Sequence, residues 1–287
     1  VRLKNLLGSF YGSFSPVALR WLYSKQKPVD WQGRKTAASL SFDVELTADT
    51  DSLPRILELL NSYSLKATFA SIGMLIEKQP RKYAQVLEAG HEIMNHSYSH
   101  PDNPETAPNR FFNKLSQKEQ FEEVQKFDEV CKKLLDYQPK GFRTPHYAVL
   151  HTDYVYEILK QLNYSYSSSV SVWRAKRSLP FFNEFGFLEL PTAVCPKHFM
   201  TVFDSWHTVA RANAPHTKPG EFLALFKKVF DYGLKYGAYS CYYFDPRSVV
   251  ALKDFEQSLE FLSQNKSSAW IDTCEKIADW WKRDAKA

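Results

Sequence analysis

The fold prediction starts from one stretch of the chain, Thr36-Ala37-Ala38-Ser39-Leu40-Ser41-Phe42, which is followed by Asp43 and Glu45. Its small and β-compatible residues indicate a buried strand, and the carboxylates at its end indicate a functional edge. Because Asp43 and Glu45 are two positions apart, both side chains should point to one face of an extended strand. We therefore expect a buried strand that delivers two carboxylates to one site.

Beyond this stretch, helical and strand patterns alternate to the end of the chain. Ser116 with Glu119 forms a capping-box pattern that predicts a helix through about Leu135, and Gly90 predicts the end of the helix before it. Further strands are predicted at 67–70, 91–94, 141–142, 164–168, 187–190, 238–244 and near Trp270. Strand–helix units of this kind predict an α/β fold with a parallel sheet, arranged as a distorted (β/α) barrel of about seven or eight units.

The positive charge of the chain is concentrated at its N-terminus. The formal net charge is +5, and residues 1–36 hold seven basic side chains against Asp30 alone. The remainder is close to neutral, which argues against a nucleic-acid partner. We divide the chain into a basic N-terminal extension, 1–35, and a barrel domain, 36–287.

The basic extension has two interpretations. Residues 1–30 could lie on an anionic membrane surface as an amphipathic segment, or the extension could pack on the barrel. Gly8, Gly12 and Pro16 interrupt a long helix, which favours packing. The segment also lacks the compact apolar centre of a signal peptide, and no apolar run in the chain is long enough to predict a membrane-spanning helix.

Cysteine usage bears on the cellular compartment. The four cysteines are widely spaced, and none forms a C-x-x-C pair with another. This pattern argues against a zinc knuckle or a redox motif and favours reduced, buried thiols. We predict a cytoplasmic chain, with membrane association only through the N-terminal extension.

A histidine pair follows the predicted strand at 91–94. In His96-Ser97-Tyr98-Ser99-His100 the two imidazoles would lie one helical turn apart, where they can bind one metal ion with an upstream carboxylate as third ligand. Arg143, after another predicted strand, could bind Asp43 through two hydrogen bonds and hold it ionised. The carboxyl ends of parallel strands meet at one edge, so we expect these residues to assemble there.

Three segments resemble the first three motifs of the NodB-homology polysaccharide deacetylases, carbohydrate esterase family 4. Ser41-Phe42-Asp43-Val44-Glu45 resembles the family's T-F-D-D motif in its D-x-D/E variant. His96–His100 resembles H-[ST]-x-x-H, and Arg143-Thr144-Pro145-His146 resembles R-x-P-[YH]. The segments occur in the family's order and spacing, and the resemblance covers roughly residues 36–275.

The resemblance implies a function for each matched residue. Asp43 would be the general base and Arg143 the group that positions it, while Glu45, His96 and His100 would bind a divalent metal ion. Zinc is the usual ion of the family, although two imidazoles and a carboxylate also suit cobalt, nickel or iron. The implied reaction is removal of an N-acyl group, usually acetyl, from an amino sugar in a glycan or glycan precursor, so the implied partner is a carbohydrate.

The later motifs differ from the family pattern. Tyr166-Ser167-Ser168-Ser169 lacks the acidic residue that supports the arginine, and Cys241–Pro246 lacks the histidine that acts as general acid. Asp245 is the nearest proton donor by position, and His207 or His146 could reach the site from elsewhere. Two alternatives therefore stay open: a catalytically silent carbohydrate-binding barrel, and an amidohydrolase that acts on a small non-sugar amide.

Overall fold

One curved sheet organises the protein. The computed structural model describes residues 14–284, apart from the side chain of Ala148. The strands run in the order β6-β7-β5-β4-β3-β2-β1-β8, with β9 also beside β1, and every pairing is parallel except that of β6 with β7. The strand bounds are β1 Thr36–Val44, β2 Ala67–Ser71, β3 Glu92–Asn95, β4 Gly141–Phe142, β5 Tyr166–Ser167, β6 Phe181–Phe182, β7 Leu188–Glu189, β8 Tyr239–Phe244 and β9 Ala269–Ile271.

The segment after β7 bridges the two ends of this sheet. Thr192 pairs with Cys241 of β8 on one side and with Ser171 on the other, and the Ala193 amide donates a hydrogen bond of 2.8 Å to the Cys241 carbonyl. The barrel is irregular where its strands are short, since β4, β5, β6 and β7 have only two residues each. The predicted α/β fold, a distorted (β/α) barrel, is confirmed.

Helices cover the outside of the sheet and alternate with its strands. The capping box of α5 is confirmed, because the Ser116 hydroxyl accepts a hydrogen bond from the Glu119 amide and the Glu119 carboxylate accepts one from the Ser116 amide. Gly90 follows α4 with a φ of +75°, as a helix-ending glycine should. The helix bounds are α1 over residues 14–24, α2 Thr47–Ser62, α3 Gly73–Lys78, α4 Pro80–Glu88, α5 Gln117–Leu135, α6 Val155–Gln161, α7 Val172–Ala175, α8 Glu221–Tyr236, α9 Pro246–Val249, α10 Lys253–Gln264 and α11 Cys274–Arg283.

Alternation along β1 separates two environments. Leu40, Phe42 and Val44 belong to the large apolar cluster that packs the sheet against the helices. The residues between them belong to the barrel interior, where the Ser41 hydroxyl lies 2.9 Å from an Arg143 guanidinium nitrogen. The small side chains that predicted this strand thus leave room for a large polar group inside the barrel.

Trp31 closes the barrel at the opposite end from the carboxyl edge of the strands. Its ring is fully buried and contacts the rings of Tyr239, Trp280 and Trp281, with centroids 6.2, 5.2 and 5.6 Å away. Its indole N–H donates a hydrogen bond of 3.0 Å to the Gly237 carbonyl. The segment just before β1 therefore contributes to the core.

The N-terminal extension packs on the barrel over the part that the structure describes. Leu19, Leu22 and Tyr23 of α1 are buried in a cluster with Val194 and Phe199. The membrane contact predicted for residues 1–30 falls partly on residues outside the described range, as do Gly8 and Gly12, and it stays a prediction. Among the helices within residues 14–284, none has the length and apolarity needed to cross a membrane.

Candidate active site

The predicted metal ligands converge at the carboxyl edge of the sheet. Glu45 follows β1 and His96 follows β3, and their Oε1 and Nε2 atoms are 3.3 Å apart. The Nε2 atom of His100 lies 3.2 Å from the same Glu45 oxygen. Asp43 Oδ2 lies 3.6 Å from His96 Nε2, so both carboxylates do reach one site. Asp43, His96 and His100 are buried, and Glu45 is partly buried.

The two histidines lie on a loop, and the expectation that they are one helical turn apart is wrong. Ser97 and His100 have φ values of 66° and 52°, in the left-handed region that a helix excludes. The loop is held from outside: the Ser97 amide donates to Asn95 Oδ1 at 2.7 Å, and the Ser99 amide donates to Glu123 Oε2 at 2.8 Å. A side chain of α5 therefore helps to place His100 beside Glu45.

The orientation of His96 leaves one nitrogen for a ligand. Its Nδ1 lies 2.8 Å from the Arg143 carbonyl, which can only accept a hydrogen bond, so Nδ1 carries the proton. The lone pair on Nε2 then faces Glu45. Burial opposes charge on both groups, but Asp43 and Glu45 raise the pKa of His96, while His100 and His96 hold the pKa of Glu45 well below its usual range.

The geometry fits a divalent metal ion. Four-coordinate zinc with bonds of about 2.0–2.1 Å separates its ligand atoms by about 3.3 Å, which matches the distances from Glu45 to both histidines. Buried polar atoms are also left over, because Asp43 Oδ2 and His100 Nδ1 have no hydrogen-bond partner and His100 Nε2 contacts only the Glu45 carboxylate. A cation held by Glu45, His96 and His100 would satisfy the Nε2 atom of His100.

Arg143 is fully buried inside the barrel, next to Asp43. Its Nη1 bonds to Asp43 Oδ1, whereas Nη2 donates to the hydroxyls of Ser41 and Ser168 at 2.9 and 3.2 Å. The expected two-bond contact with Asp43 is therefore wrong. Burial disfavours the guanidinium charge, but Asp43 outweighs it and raises the pKa of Arg143 above its usual value. Because Arg143 binds only Oδ1, the Oδ2 atom of Asp43 stays available for another interaction.

Serines replace the acidic support that the sequence lacks around Arg143. The Ser168 carbonyl accepts a hydrogen bond of 3.2 Å from Arg143 Nε. A buried carboxyl group does lie nearby, since Glu189 Oε1 accepts hydrogen bonds from Ser167 and from the Ser169 amide. Burial raises the pKa of Glu189 to about 7. Glu189 therefore stabilises Ser167 and Ser169, the two residues on either side of Ser168.

The three candidate proton donors have different positions. His146 Nε2 is 3.7 Å from Asp102, and its ring packs against that of His100, with centroids 4.9 Å apart. His207 contacts His198 in a separate cluster, and burial lowers its pKa to about 3, so it is neutral at pH 7. Asp245 directly follows Phe244, which pairs with Phe42, so it lies beside Asp43 at the edge of the sheet.

Both Asp245 and a second acid, Asp204, are buried near the centre. Burial and the charge of Glu45 raise the pKa of Asp245 well above its usual value. Burial raises the pKa of Asp204 to about 7, with help from Asp43 and Glu45. Asp204 lies in an irregular segment and does not follow a predicted strand, so its place at the edge of the sheet could not be predicted from the sequence.

Two tyrosines that the sequence analysis also missed cover Arg143. The guanidinium carbon is 5.2 Å from the Tyr147 ring centroid and 5.4 Å from that of Tyr243, and the two rings contact each other. The Tyr147 hydroxyl is buried without a hydrogen-bond partner. Tyr147 lies close to the R-x-P-[YH] motif, but a motif match alone does not indicate that its ring folds back over the arginine.

Comparison with known proteins identifies a family that this chain resembles. Residues 31–167 match the family model described as polysaccharide deacetylase, a range that includes Asp43, Glu45, His96, His100 and Arg143. A peptidoglycan-N-acetylglucosamine deacetylase of Bacillus cereus is 30% identical over 139 residues. That match covers 48% of this chain and 46% of the relative, so the chain spans about half the relative's length.

Two solved structures share the fold. A probable polysaccharide deacetylase of Pseudomonas aeruginosa PAO1 is 14% identical with a TM-score of 0.75, covering 91% of this chain and 96% of the other. The allantoinase Puue is 15% identical with a TM-score of 0.71 and the same coverage. The resemblance to the deacetylase family is confirmed, and the identities to these structures show the fold alone.

The Arg143–Asp43 pair should show strong thermodynamic coupling in urea unfolding of the metal-free protein. Arg143→Met and Asp43→Asn should each lower the free energy of unfolding by roughly 3–5 kcal/mol, because each leaves a buried charge unpaired. The double variant should lose much less than the sum. The Lys82–Asp51 pair, which lies at the surface with Lys82 only partly buried, provides a control with little coupling. Additive losses for Arg143 and Asp43 would contradict the structure.

Proposed function

Because residues 31–167 match the polysaccharide deacetylase family model, we propose that this chain is a metal-dependent hydrolase that removes an N-acyl group, acetyl in the first instance, from an amino sugar of a glycan or glycan precursor. One observation carries the proposal. Glu45, His96 and His100 face a common point, and the unpartnered Oδ2 of Asp43 lies beside them. A metal site with a free carboxylate oxygen next to it can activate a water molecule for hydrolysis of an amide.

Each residue has a specific task in this mechanism. Glu45, His96 and His100 would hold the ion, for which zinc is our first choice. When bound, such an ion supplies a Lewis acid that polarises the acyl carbonyl and lowers the pKa of a water molecule. Arg143 fixes Asp43 through Oδ1, so that Oδ2 faces the ligands and can accept the proton of the attacking water.

Asp245 is our choice of proton donor for the leaving amine. It is buried at the same edge as Asp43, and its Oδ2 accepts a hydrogen bond of 2.8 Å from the Ser205 hydroxyl. Burial and the charge of Glu45 raise the pKa of Asp245, which favours the protonated carboxyl that a proton donor needs. Asp204 is the alternative donor, because it is also buried and directly precedes Ser205 in the chain.

The substrate class rests on the family and on the Bacillus cereus relative, which is described as a peptidoglycan-N-acetylglucosamine deacetylase. We propose a carbohydrate with an N-acetylated amino sugar for this chain. A cytoplasmic location and membrane contact through residues 1–30 stay predictions. A silent barrel and a small-amide hydrolase are the outcomes that would replace this proposal.

Metal removal followed by reconstitution tests the proposed reaction. Chelation should lower acetate release from N-acetylglucosamine oligomers and peptidoglycan fragments by roughly 10²-fold or more, because several kcal/mol of transition-state stabilisation are lost. Zinc or cobalt should restore the activity in wild type but not in His100→Ala. Acetate is measured enzymatically, and the metal content is measured by mass spectrometry of the purified chain.

Two other outcomes separate the alternatives. If the chain binds no divalent ion at Glu45, His96 and His100 and releases no acetate after metal addition, it is a silent barrel. If it instead opens or hydrolyses small cyclic amides such as allantoin faster than the sugar oligomers, it is a small-amide hydrolase.

Two substrates that differ in their leaving groups should identify the proton donor. Asp245→Asn should lower amide hydrolysis by roughly 10²–10⁴-fold, because an amine leaves only after protonation. Hydrolysis of 4-nitrophenyl acetate should change little, because its phenolate leaves without a proton. Since the donor must be protonated, the wild-type rate of amide hydrolysis should fall as pH rises through the donor's pKa. The pH–rate profile of Asp245→Asn should lack this decrease.

The matched variants for this test are Asp204→Asn, at the other buried acid, and Asp51→Asn, at an exposed acid. Asp51→Asn should behave as wild type. A selective loss of amide hydrolysis in Asp204→Asn alone would assign the donor to Asp204. Equal losses on the amide and the ester in Asp245→Asn would show that Asp245 is not a proton donor.

A further inference from the structure

A second group of metal-ligating side chains lies outside the proposed active site. Cys195, His198, His207 and His216 each offer one ligand atom, and these four atoms all lie within 4.8 Å of one another. All four residues belong to the connection between β7 and α8, in the spacing C-x2-H-x8-H-x8-H. We propose that this cluster of one cysteine and three histidines binds a structural zinc ion.

The distances match a tetrahedral zinc site. Zinc–sulfur bonds of about 2.3 Å and zinc–nitrogen bonds of about 2.0–2.1 Å separate sulfur from nitrogen by about 3.6 Å, and two nitrogens by about 3.3 Å. Cys195 Sγ lies 3.5 Å from His216 Nε2 and 4.0 Å from His198 Nδ1. His198 Nδ1 lies 3.0 Å from His207 Nε2. The ligand atoms therefore surround a space of the size that zinc requires.

The surroundings of the cluster resemble those of a structural metal site. Cys195, His207 and His216 are buried, while His198 is partly exposed and leaves a path for entry. The Nδ1 atom of His216, on the far side of the ring from the cluster, lies 3.2 Å from Glu221 Oε1. A carboxylate in this position fixes the tautomer and increases the basicity of a ligating imidazole.

The protonation states agree with ligation by neutral imidazoles. Burial lowers the pKa of His198 and His216, and it lowers the pKa of His207 to about 3. Burial raises the pKa of Cys195 to about 11, although the amides of Lys197 and His198 donate hydrogen bonds that stabilise its thiolate. Zinc deprotonates a coordinating thiol, so the binding should release a proton.

Hydrogen bonds alone satisfy this cluster poorly. The thiol is a weak donor and acceptor, and its contacts of 3.5 and 4.0 Å are long. The His198 and His207 nitrogens that face each other can share only one proton, and His207 Nδ1 is buried without a partner. A metal ion would give all four inward-facing atoms a strong interaction.

The position of the cluster explains how a long irregular connection can be ordered. Residues 190–220 contain only one helical turn, Trp206–Ala210, and a connection of this length in a compact domain needs an internal constraint. Zinc would join its start, middle and end. The His207 amide also bonds to Asp204, and Ser205 bonds to Asp245. If the proposed function is correct, this ion also positions both candidate acids.

Cobalt substitution of the full chain tests the site without reference to activity. Cobalt bound by a thiolate gives a sulfur-to-metal charge-transfer band, and the Glu45–His96–His100 centre contains no sulfur. The wild type should show the band, and Cys195→Ser should lose it. Cys131→Ser, which changes another buried free thiol, should keep the band, as should His100→Ala. The zinc content of Cys195→Ser should be about one ion per chain lower than that of the wild type.

Two measurements protect the test against misfolding of a variant. In the wild type, zinc should protect Cys195 from alkylation, and a chelator should expose it, as followed by peptide mass spectrometry. His216→Gln keeps the thiol and a similar volume, and it should weaken zinc binding at least about tenfold. Absence of the charge-transfer band in cobalt-saturated wild type, or its survival in folded Cys195→Ser, would overturn the proposal. The failure of the proposed deacetylase activity would leave these results unchanged.

Discussion

The ion pair between Arg143 and Asp43 inside the barrel is the interaction on which the rest of the site depends. Both groups are almost completely buried, and a charge in such a place is tolerated only when it is paired and hydrogen-bonded. Small residues on the inner face of β1 make room for the guanidinium, and Ser41 and Ser168 satisfy its remaining N–H groups. The pair therefore links the strand pattern of β1 to the orientation of the carboxylate that we propose as the base.

The same ion pair gives the two oxygens of Asp43 different partners. Oδ1 accepts a hydrogen bond from Arg143, and Oδ2 lies beside the imidazole of His96. The carbonyl of Arg143 also fixes the tautomer of that imidazole. One residue thus positions both the proposed base and a proposed metal ligand, which is why a change at Arg143 should affect structure and chemistry together.

The sequence predicted those features that depend on local pattern. The alternation in β1, the capping box of α5 and the placement of Asp43, Glu45, His96 and Arg143 at the carboxyl ends of strands follow from periodicity and from the geometry of parallel sheets. The loop conformation of His100 does not, because it depends on Asn95 and on Glu123 from a distant helix. The same holds for Asp204 and for the Tyr147 ring, whose positions arise from irregular backbone.

The connection between β7 and α8 shows this limit most clearly. Without a C-x-x-C pair, the cysteine spacing argued against a zinc knuckle, yet Cys195 begins a C-x-x-H sequence and meets His207 and His216 across the connection. The family model ends at residue 167, before this segment. Residues 31–167 thus supply the candidate base and the candidate ligands Glu45, His96 and His100, whereas the residues after 167 supply the candidate acids Asp204 and Asp245 and the cluster of Cys195, His198, His207 and His216.

The proposed active site requires that Glu45, His96 and His100 bind one metal ion while Arg143 keeps Asp43 beside it. Anomalous diffraction at the zinc edge, from crystals of the zinc-loaded protein, is the decisive experiment. We expect a peak about 2.0–2.2 Å from Glu45 Oε1 and from the Nε2 atoms of both histidines, with the Arg143–Asp43 contact intact. A crystal with no peak between these atoms, or with Asp43 separated from Arg143, would contradict it.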